Sequence, residues 1–265
     1  MNKKLPTELV YQLFTLLVII IVVHAAYVVL IRPNADAILE YQSQQSTLNK
    51  DYVPEKSVYV LIRDFEQEAC FILMFWAMAI IGFKLSHILK ERSLLELDII
   101  RAAEGLKILP QDTKELTRKV QSLPADKQRF LLPRALQIAI DRFNSSSNVQ
   151  DVSQAMKNVC DTEYERLESE LSIIRYIAWA IPSVGFLGTV RGIGDALGQA
   201  HKAVEGDITG VTESLGVAFN STFIALCISI VLMFIVHQLQ LMQERYIFDT
   251  QEYCNHNLIR HMQIA

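Results

Sequence analysis

The stretch that decides the fold is IIRYIAWAIPSVGFLGTVRGIGDAL, residues 173–197. It is long enough to cross a bilayer core, which is about 30 Å thick and needs roughly 20 apolar residues of helix. Steps of four and three residues along it lie on one face of a helix, and here they select only small residues and one proline. That row is Ala178, Pro182, Gly185, Thr189, Gly192 and Ala196. The stretch therefore predicts a membrane helix with one side-chain-poor face.

Three other stretches meet the same length criterion: residues 10–31, 69–89 and 215–237. The chain has 265 residues, of which 51% are hydrophobic, and its mean hydropathy is +0.23. Only 20% of its residues are charged, and soluble domains usually have a larger charged fraction. A cleaved signal peptide is the alternative for the first stretch, but its apolar region would be only about 7–15 residues long. We therefore predict an all-α integral membrane protein with four transmembrane helices and long cytoplasmic helical extensions.

Composition and motifs argue against several other classes of protein. The net charge of −4 gives no basic field for nucleic acid. The sequence has no phosphate-binding loop, no HExxH and no paired carboxylates in an apolar stretch, so we predict neither an enzyme nor a cofactor. Its cysteines have no metal-ligand spacing and are interpreted as free thiols: Cys70, Cys160, Cys227 and Cys254.

Basic residues near the span ends predict the orientation, because cytoplasmic loops are rich in Lys and Arg. They place both termini in the cytoplasm, although Arg32, Lys50, Lys56 and Arg63 in the outer loop reduce the contrast. The residues that favour this orientation are Lys3, Lys4, Lys84, Lys90, Arg92 and Arg101. The predicted order is span one within 1–31, a periplasmic loop 32–68, span two 69–89, a cytoplasmic domain 90–172, span three 173–197, a periplasmic turn 198–214, span four 215–237 and a cytoplasmic helix 238–265.

The cytoplasmic region is predicted to be helical and to be divided by Pro110, Pro124, Pro133 and the serines at 145–147. Its last part carries an apolar stripe that continues without a breaker until Pro182, so one long helix should run into span three. The stripe is Val152, Met156, Val159, Leu167, Leu171 and Ile174. The acidic residues beside Arg166 are interpreted as the solvated face of this helix: Glu163, Glu165, Glu168 and Glu170.

Span four repeats the small row of span three with Ser214, Ala218, Thr222, Ala225 and Ser229, and Ser221 lies beside it. Small faces ordinarily let membrane helices pack closely. Two features favour a functional role in addition. Thr189 and Thr222 place hydroxyls near mid-span, and Pro182 frees a backbone carbonyl one turn earlier, as is usual where backbone lines a cavity. The residues alone leave both interpretations open.

These segments resemble a known family. Residues 181–193, IPSVGFLGTVRGI, resemble the APxxGLxGTVxGI segment of the MotA/TolQ/ExbB proton-channel family. Residues 217–226, VAFNSTFIAL, resemble its EALxxTxxGL segment, with Thr222 on the threonine and Ala225 in place of the glycine. The resemblance covers about residues 165–240. The hairpin is closer to TolQ/ExbB and the four spans to MotA, which indicates a divergent member.

The resemblance implies a subunit of an ion-driven motor or energiser complex in the bacterial inner membrane. Five copies would surround two single-span partner helices that resemble ExbD, TolR or MotB and carry the aspartate that binds the transported H⁺ or, alternatively, Na⁺. No Asp or Glu lies in the apolar cores of this chain, so the intramembrane acid should come from that partner. The residues expected to line the pore are Thr189, Thr222, Pro182, Gly185, Gly192, Ala218, Ser221 and Ala225.

Other charged candidates have two interpretations each. Arg191 stands where TolQ and ExbB usually have tryptophan. In one interpretation its side chain reaches outward or pairs with Asp195. In the other it guards the periplasmic mouth of the pore, where Asp195 or Glu213 compensates its positive charge. Glu213 lines that mouth or caps a helix N-terminus. His24 is a proton relay, or it is a buried histidine that is hydrogen-bonded to a neighbouring helix. The alternative to an ion-driven function is a passive scaffold or a permease subunit without ion coupling.

Overall fold

A computed structural model describes residues 7–48, 52, 55, 57–97, 99–100 and 107–263, and these residues contain helices and no named strand. The principal helices are α1 Thr7–Ala26, α2 Arg32–Leu48, α3 Val58–Leu61, α4 Phe65–Arg92, α5 Thr113–Gln121, α6 Leu131–Ser146, α7 Val149–Gly198, α8 Ala200–Val204 and α9 Thr209–Asn257. Four helical stretches are long and apolar enough to cross a membrane. The predicted all-α membrane fold is confirmed. The orientation signals at Lys3, Lys4 and Arg101, and the opposing Lys50 and Lys56, lie outside the described residues.

The chain divides into two compact units. The first draws on Met1–Ile81 and Ile173–Val236, and the second on Gly82–Ser172 and His237–Ala265. The helices α4, α7 and α9 contribute residues to both. The 50-residue helix α7 runs unbroken through Pro182, as the continuous apolar pattern predicts.

The first helix does not end where the first apolar stretch ends. A π-helical turn, Tyr27–Ile31, joins α1 directly to α2, so residues 32–48 are helical instead of forming a loop. Within it, the Arg32 backbone N–H donates to the Tyr27 carbonyl. Pro33 has no backbone N–H for the carbonyl four residues earlier, and the widened turn carries the helix past this position.

Helix α4 packs against α1 within the first unit. The Tyr11 hydroxyl donates to the Ala79 carbonyl at 3.3 Å, and the Trp76 indole donates to the Gln12 carbonyl at 3.0 Å. On α4, Gln67, Cys70 and Ala77 are completely buried. The hydrogen bonds to α1 and these buried side chains fix the position of α4 within the first unit. Helix α4 is therefore a rigid support for the helices that it contacts.

The second unit is organised by α6 and the first half of α7. The predicted stripe on α7 is largely buried, with Val152 and Leu171 at 0% exposure. Glu163 corrects the prediction of a solvated acidic face, because it is 3% exposed and lies 3.3 Å from Arg134 on α6, while also pairing with Arg166. A buried carboxylate needs such partners to offset its desolvation. The rest of that acidic run is more open to solvent, and Glu170 pairs with Lys84 at 2.9 Å.

Candidate functional site

The small faces of α7 and α9 are packed against each other. An added Cβ at Gly192 would lie 2.8 Å from the Ala218 Cβ and 2.7 Å from the Ser214 carbonyl oxygen. One at Gly185 would overlap the Ala225 Cβ. Ala218 and Ala225 are 0% exposed, so the side chains of this row pack between α7 and α9 in the single chain. Gly185, Gly192, Ala218 and Ala225 thus allow the two helices to approach closely. That these four residues line a pore stays a prediction.

The close approach brings Thr189 and Thr222 together. Their hydroxyls contact each other, and each also lies within hydrogen-bond distance of a carbonyl on the opposite helix. Thr189 Oγ1 is 3.0 Å from the Ala218 carbonyl oxygen, and Thr222 Oγ1 is 3.1 Å from that of Gly185. Both threonines are half-buried, unlike the alanines and glycines beside them. The sequence predicts that both hydroxyls lie near mid-span on the small faces, and the structure in addition brings them into contact with each other.

The paired hydroxyls have two equivalent proton arrangements. Each hydroxyl has a single proton to donate. Either Thr189 donates to Thr222, which donates to Gly185, or Thr222 donates to Thr189, which donates to Ala218. In both arrangements the pair keeps unused lone pairs, so it can accept a hydrogen bond from a protonated carboxyl group. By turning one hydroxyl it can instead donate to a carboxylate.

Pro182 leaves a backbone carbonyl one turn earlier without a helical donor, as the sequence predicts. Because it lacks a backbone N–H, the carbonyl of Ala178 has no helical donor. The hydroxyl of Ser229 on α9 donates to that carbonyl at 3.0 Å. The freed carbonyl is therefore satisfied inside the hairpin, and Pro182 itself is half-buried. In the single chain this position ties α7 to α9.

Helix α4 packs beside the hairpin that α7 and α9 form. The Gln67 amide donates to the hydroxyl of Ser221 at 3.4 Å, and Ser221 is 1% exposed. Ser221 thus packs between helices in the single chain, and its place in a pore lining stays a prediction. The Gln67 side-chain carbonyl is buried and has no hydrogen-bond partner within the part of the chain that the structure describes.

The charged residues near the α7–α9 connection pair differently from expectation. Arg191 binds Glu66 of α4 at 2.8 Å, not Asp195. Glu213 is the fifth residue of α9 and does not cap its N-terminus; it lies 4.0 Å from Arg63. A cleft of about 570 Å³ lies near these residues. Its charged lining consists of Arg63, Asp64, Arg191, Asp195 and Glu213. Burial raises the pKa of the Asp64 carboxyl, against the opposing effect of Arg63 and Arg191.

His24 belongs to a second cluster that the sequence did not reveal. Its Nδ1 lies 2.7 Å from Glu68 of α4, which also pairs with Arg32. The hydrogen bond to a neighbouring helix was one of the two predictions, but the His24 side chain is 57% exposed whereas that of Glu68 is 8% exposed. The guanidinium of Arg32 also stacks over the Phe65 ring at 4.4 Å. The apolar stretch begins one residue after Glu68, so the sequence alone predicts that Glu68 lies in the loop.

No group of three or more His, Cys, Asp or Glu residues suited to a metal ion occurs among the described residues. The four cysteines are free thiols. The chemistry available at the hairpin is therefore that of hydroxyls, backbone carbonyls and the nearby ion pairs.

Comparison with known proteins agrees with the hairpin geometry. Residues 126–252 match the model described as the MotA/TolQ/ExbB proton channel family. The matched segment includes both threonines and leaves α1 and α4 outside it. No curated protein and no solved structure matches the chain. The chain is thus a multi-pass membrane protein whose segment 126–252 belongs to the MotA/TolQ/ExbB proton channel family.

Proposed function

We propose that this chain forms the wall of an ion passage in a motor or energiser complex of the bacterial inner membrane. Five copies surround two copies of a single-span partner, and the flow of H⁺ drives mechanical work by that partner. Both termini lie in the cytoplasm. The observation that carries the proposal is the Thr189–Thr222 hydroxyl pair, half-buried between two apolar helices of a chain from a proton channel family.

The buried small residues support this role indirectly. By letting α7 and α9 approach closely, they bring two hydroxyls from different helices to a single point, where both can reach one carboxyl group. The bulky side chains on the other faces remain uncovered in the single chain; Trp179 is 68% exposed and Phe186 is 63% exposed. Such apolar faces suit contact with lipid or with a neighbouring copy.

The acid that would carry the proton is not supplied by the hairpin helices themselves. α7 has no Asp or Glu between Glu170 and Asp195, and α9 has none between Glu213 and Glu244. Intramembrane carboxylates are the usual proton relays, so a partner helix carrying an aspartate completes the proposed site. Protonation removes the charge of that aspartate and lets it pass the apolar wall. One charge moving through 100 mV gains about 2.3 kcal/mol, which is the energy available per ion.

The test uses the complex purified from membranes with its native partner. Thr189→Val and Thr222→Val remove one hydroxyl each and keep the side-chain shape. We expect either variant to lower the process that the complex drives by at least about tenfold, while native mass spectrometry finds the same subunit count as in the wild type. Thr15→Val on α1 is the matched control, because its hydroxyl donates to carbonyls of its own helix at 2.8 and 3.0 Å.

A passive scaffold or a permease subunit without ion coupling is the second candidate. The burial of Gly192 against Ala218 favours it, since that contact needs no ion to explain it. Full activity of both valine variants, or a purified complex without a single-span acidic partner, would support this candidate and remove the ion-passage proposal.

A further inference from the structure

An ion pair joins the matched family segment to a helix outside that segment. Glu66 lies in the first turn of α4, and its carboxylate is 2.8 Å from the guanidinium of Arg191 on α7. The side chain of Glu66 is 15% exposed and that of Arg191 is 44% exposed. The pair is therefore partly shielded from water, which makes the neutralisation of each charge by the other more effective than on an open surface.

Gly188 makes this contact possible. A Cβ at position 188 would lie 3.1 Å from the Glu66 Cγ and 2.6 Å from the Ser221 Cβ. Only a residue without a side chain lets α4 approach α7 and α9 together at this level. The glutamate then passes across the bare backbone and reaches the arginine three residues further along α7.

The ion pair lies at nearly the same level of α7 as the threonine pair. Arg191 follows Thr189 by two residues, which corresponds to a rise of about 3 Å along the helix and a turn of about 200° around it, so the two side chains leave different faces. Arg191 lies on the side of the α7–α9 connection, and Ser221, which contacts α4, is the direct neighbour of Thr222 in sequence. An ion that approaches the threonines from the connection passes the level of Arg191.

The surrounding charges do not replace Glu66 as the partner of Arg191. Arg63 adds a second positive charge to the same cleft and lies 3.8 Å from Asp64 and 4.0 Å from Glu213. Asp195 lines the cleft as well, but the pair formed by Arg191 is with α4. Of the carboxylates near Arg191, that of Glu66 is the one within hydrogen-bond distance of its guanidinium, although Glu66 itself does not line the cleft.

We propose, on the basis of the function proposed above, that Glu66 determines cation entry by neutralising Arg191 beside the threonine pair. Paired, the arginine presents no net charge to an approaching proton or hydrated cation. Unpaired, it repels cations at the narrow approach to Thr189 and Thr222. The first part of the chain, which the family match does not cover, thereby supplies a residue that controls selectivity.

The experiment measures proton uptake by liposomes that contain the complex purified with its partner, under an imposed membrane potential. Glu66→Gln should lower the uptake rate at least about tenfold, because Arg191 is left uncompensated. Glu66→Gln combined with Arg191→Gln should restore the rate to within about threefold of wild type. Asp36→Asn is the matched control, since it also removes an outer carboxylate near an arginine, at 3.6 Å from Arg63, but is itself 68% exposed.

The outcomes separate this inference from the function on which it rests. Wild-type liposomes that take up no protons beyond empty liposomes would contradict the proposed function. Wild-type uptake with an equally active Glu66→Gln variant would overturn only the role of Glu66. A double variant as inactive as the single one, with intact subunit count, would show that Glu66 has a structural role and would also overturn the inference.

Discussion

Replacing Gly192 by alanine places a methyl group where α7 and α9 already touch. The added Cβ would lie 2.8 Å from the Ala218 Cβ, whereas carbon atoms prefer a separation of about 3.5–4.0 Å. The backbone oxygen of Ser214 lies 2.7 Å away, so the obstacle cannot rotate aside. α9 must therefore move by about 1 Å, and overpacking of this kind costs about 1–3 kcal/mol. The displacement also separates the two threonine hydroxyls.

The matched control is Gly194→Ala on the same helix. Nothing lies within 4 Å of a Cβ at Gly194, so this variant meets no obstacle. Both substitutions gain the same helix propensity, about 1 kcal/mol, so their difference isolates the packing effect. The free energy of unfolding of the detergent-solubilised chain, followed by tryptophan fluorescence, should be about 1–3 kcal/mol lower for Gly192→Ala than for Gly194→Ala. Equal stabilities would refute the conclusion that the small faces of α7 and α9 are in close contact.

Three further predictions concern hydrogen bonds and titration. Ser229→Ala removes the donor to the Ala178 carbonyl and should lower the free energy of unfolding by about 1–3 kcal/mol, measured by denaturant titration. Tyr246→Phe removes the hydroxyl that donates to the buried Glu91 carboxylate at 2.5 Å and should cost a similar amount in the same assay. Asp64 has a raised pKa in the folded chain, so folding binds a proton there, and its contribution to stability falls as pH rises from about 4 through the folded pKa. Asp64→Asn should therefore flatten the dependence of stability on pH over this interval, as thermal unfolding at several pH values would show.

The two hydrogen-bond variants each have a control in the chain. Ser183→Ala removes a hydroxyl that bonds its own helix, at 3.2 Å from the Trp179 carbonyl, and should change stability little. Tyr164→Phe alters a tyrosine that is 36% exposed and serves as the reference for the Tyr246 variant. The hydrogen-bond interpretations are wrong if the test variants are no less stable than these controls, and the Asp64 interpretation is wrong if Asp64→Asn keeps the wild-type pH profile.

The local features of the fold follow from the sequence because they depend on neighbouring residues. Runs of apolar residues identify the four membrane-crossing stretches, and the absence of a breaker predicts the single helix α7, Val149–Gly198. The same periodicity predicts that the small residues share a face. It cannot say what that face contacts, and the structure shows it against the small face of α9.

The features that the sequence did not predict are contacts between residues far apart in the chain, or helices that continue past an expected end. Arg191 and Glu66 are separated by 125 positions, and no local pattern links them, whereas Asp195 is one helical turn away from Arg191. The charge of Glu68 lies outside the apolar stretch, so the sequence predicts a loop residue, whereas the partners Arg32 and His24 make its burial acceptable. The first apolar stretch ends at Ile31, but the π-helical turn continues the helix past Pro33 into α2. A search for opposite charges at the ends of the predicted spans could have suggested these pairs.

The most direct test of the proposed ion passage is proton flux through the complex that carries Thr189→Val and Thr222→Val together. The complex, purified with its native partner, is placed in liposomes containing a pH-sensitive dye, and proton entry is followed after a membrane potential is imposed. We expect entry to fall to the level of empty liposomes in the double variant and to match wild type in Thr15→Val. Proton entry at the wild-type rate through a correctly assembled double variant would contradict a role for the paired hydroxyls in the passage.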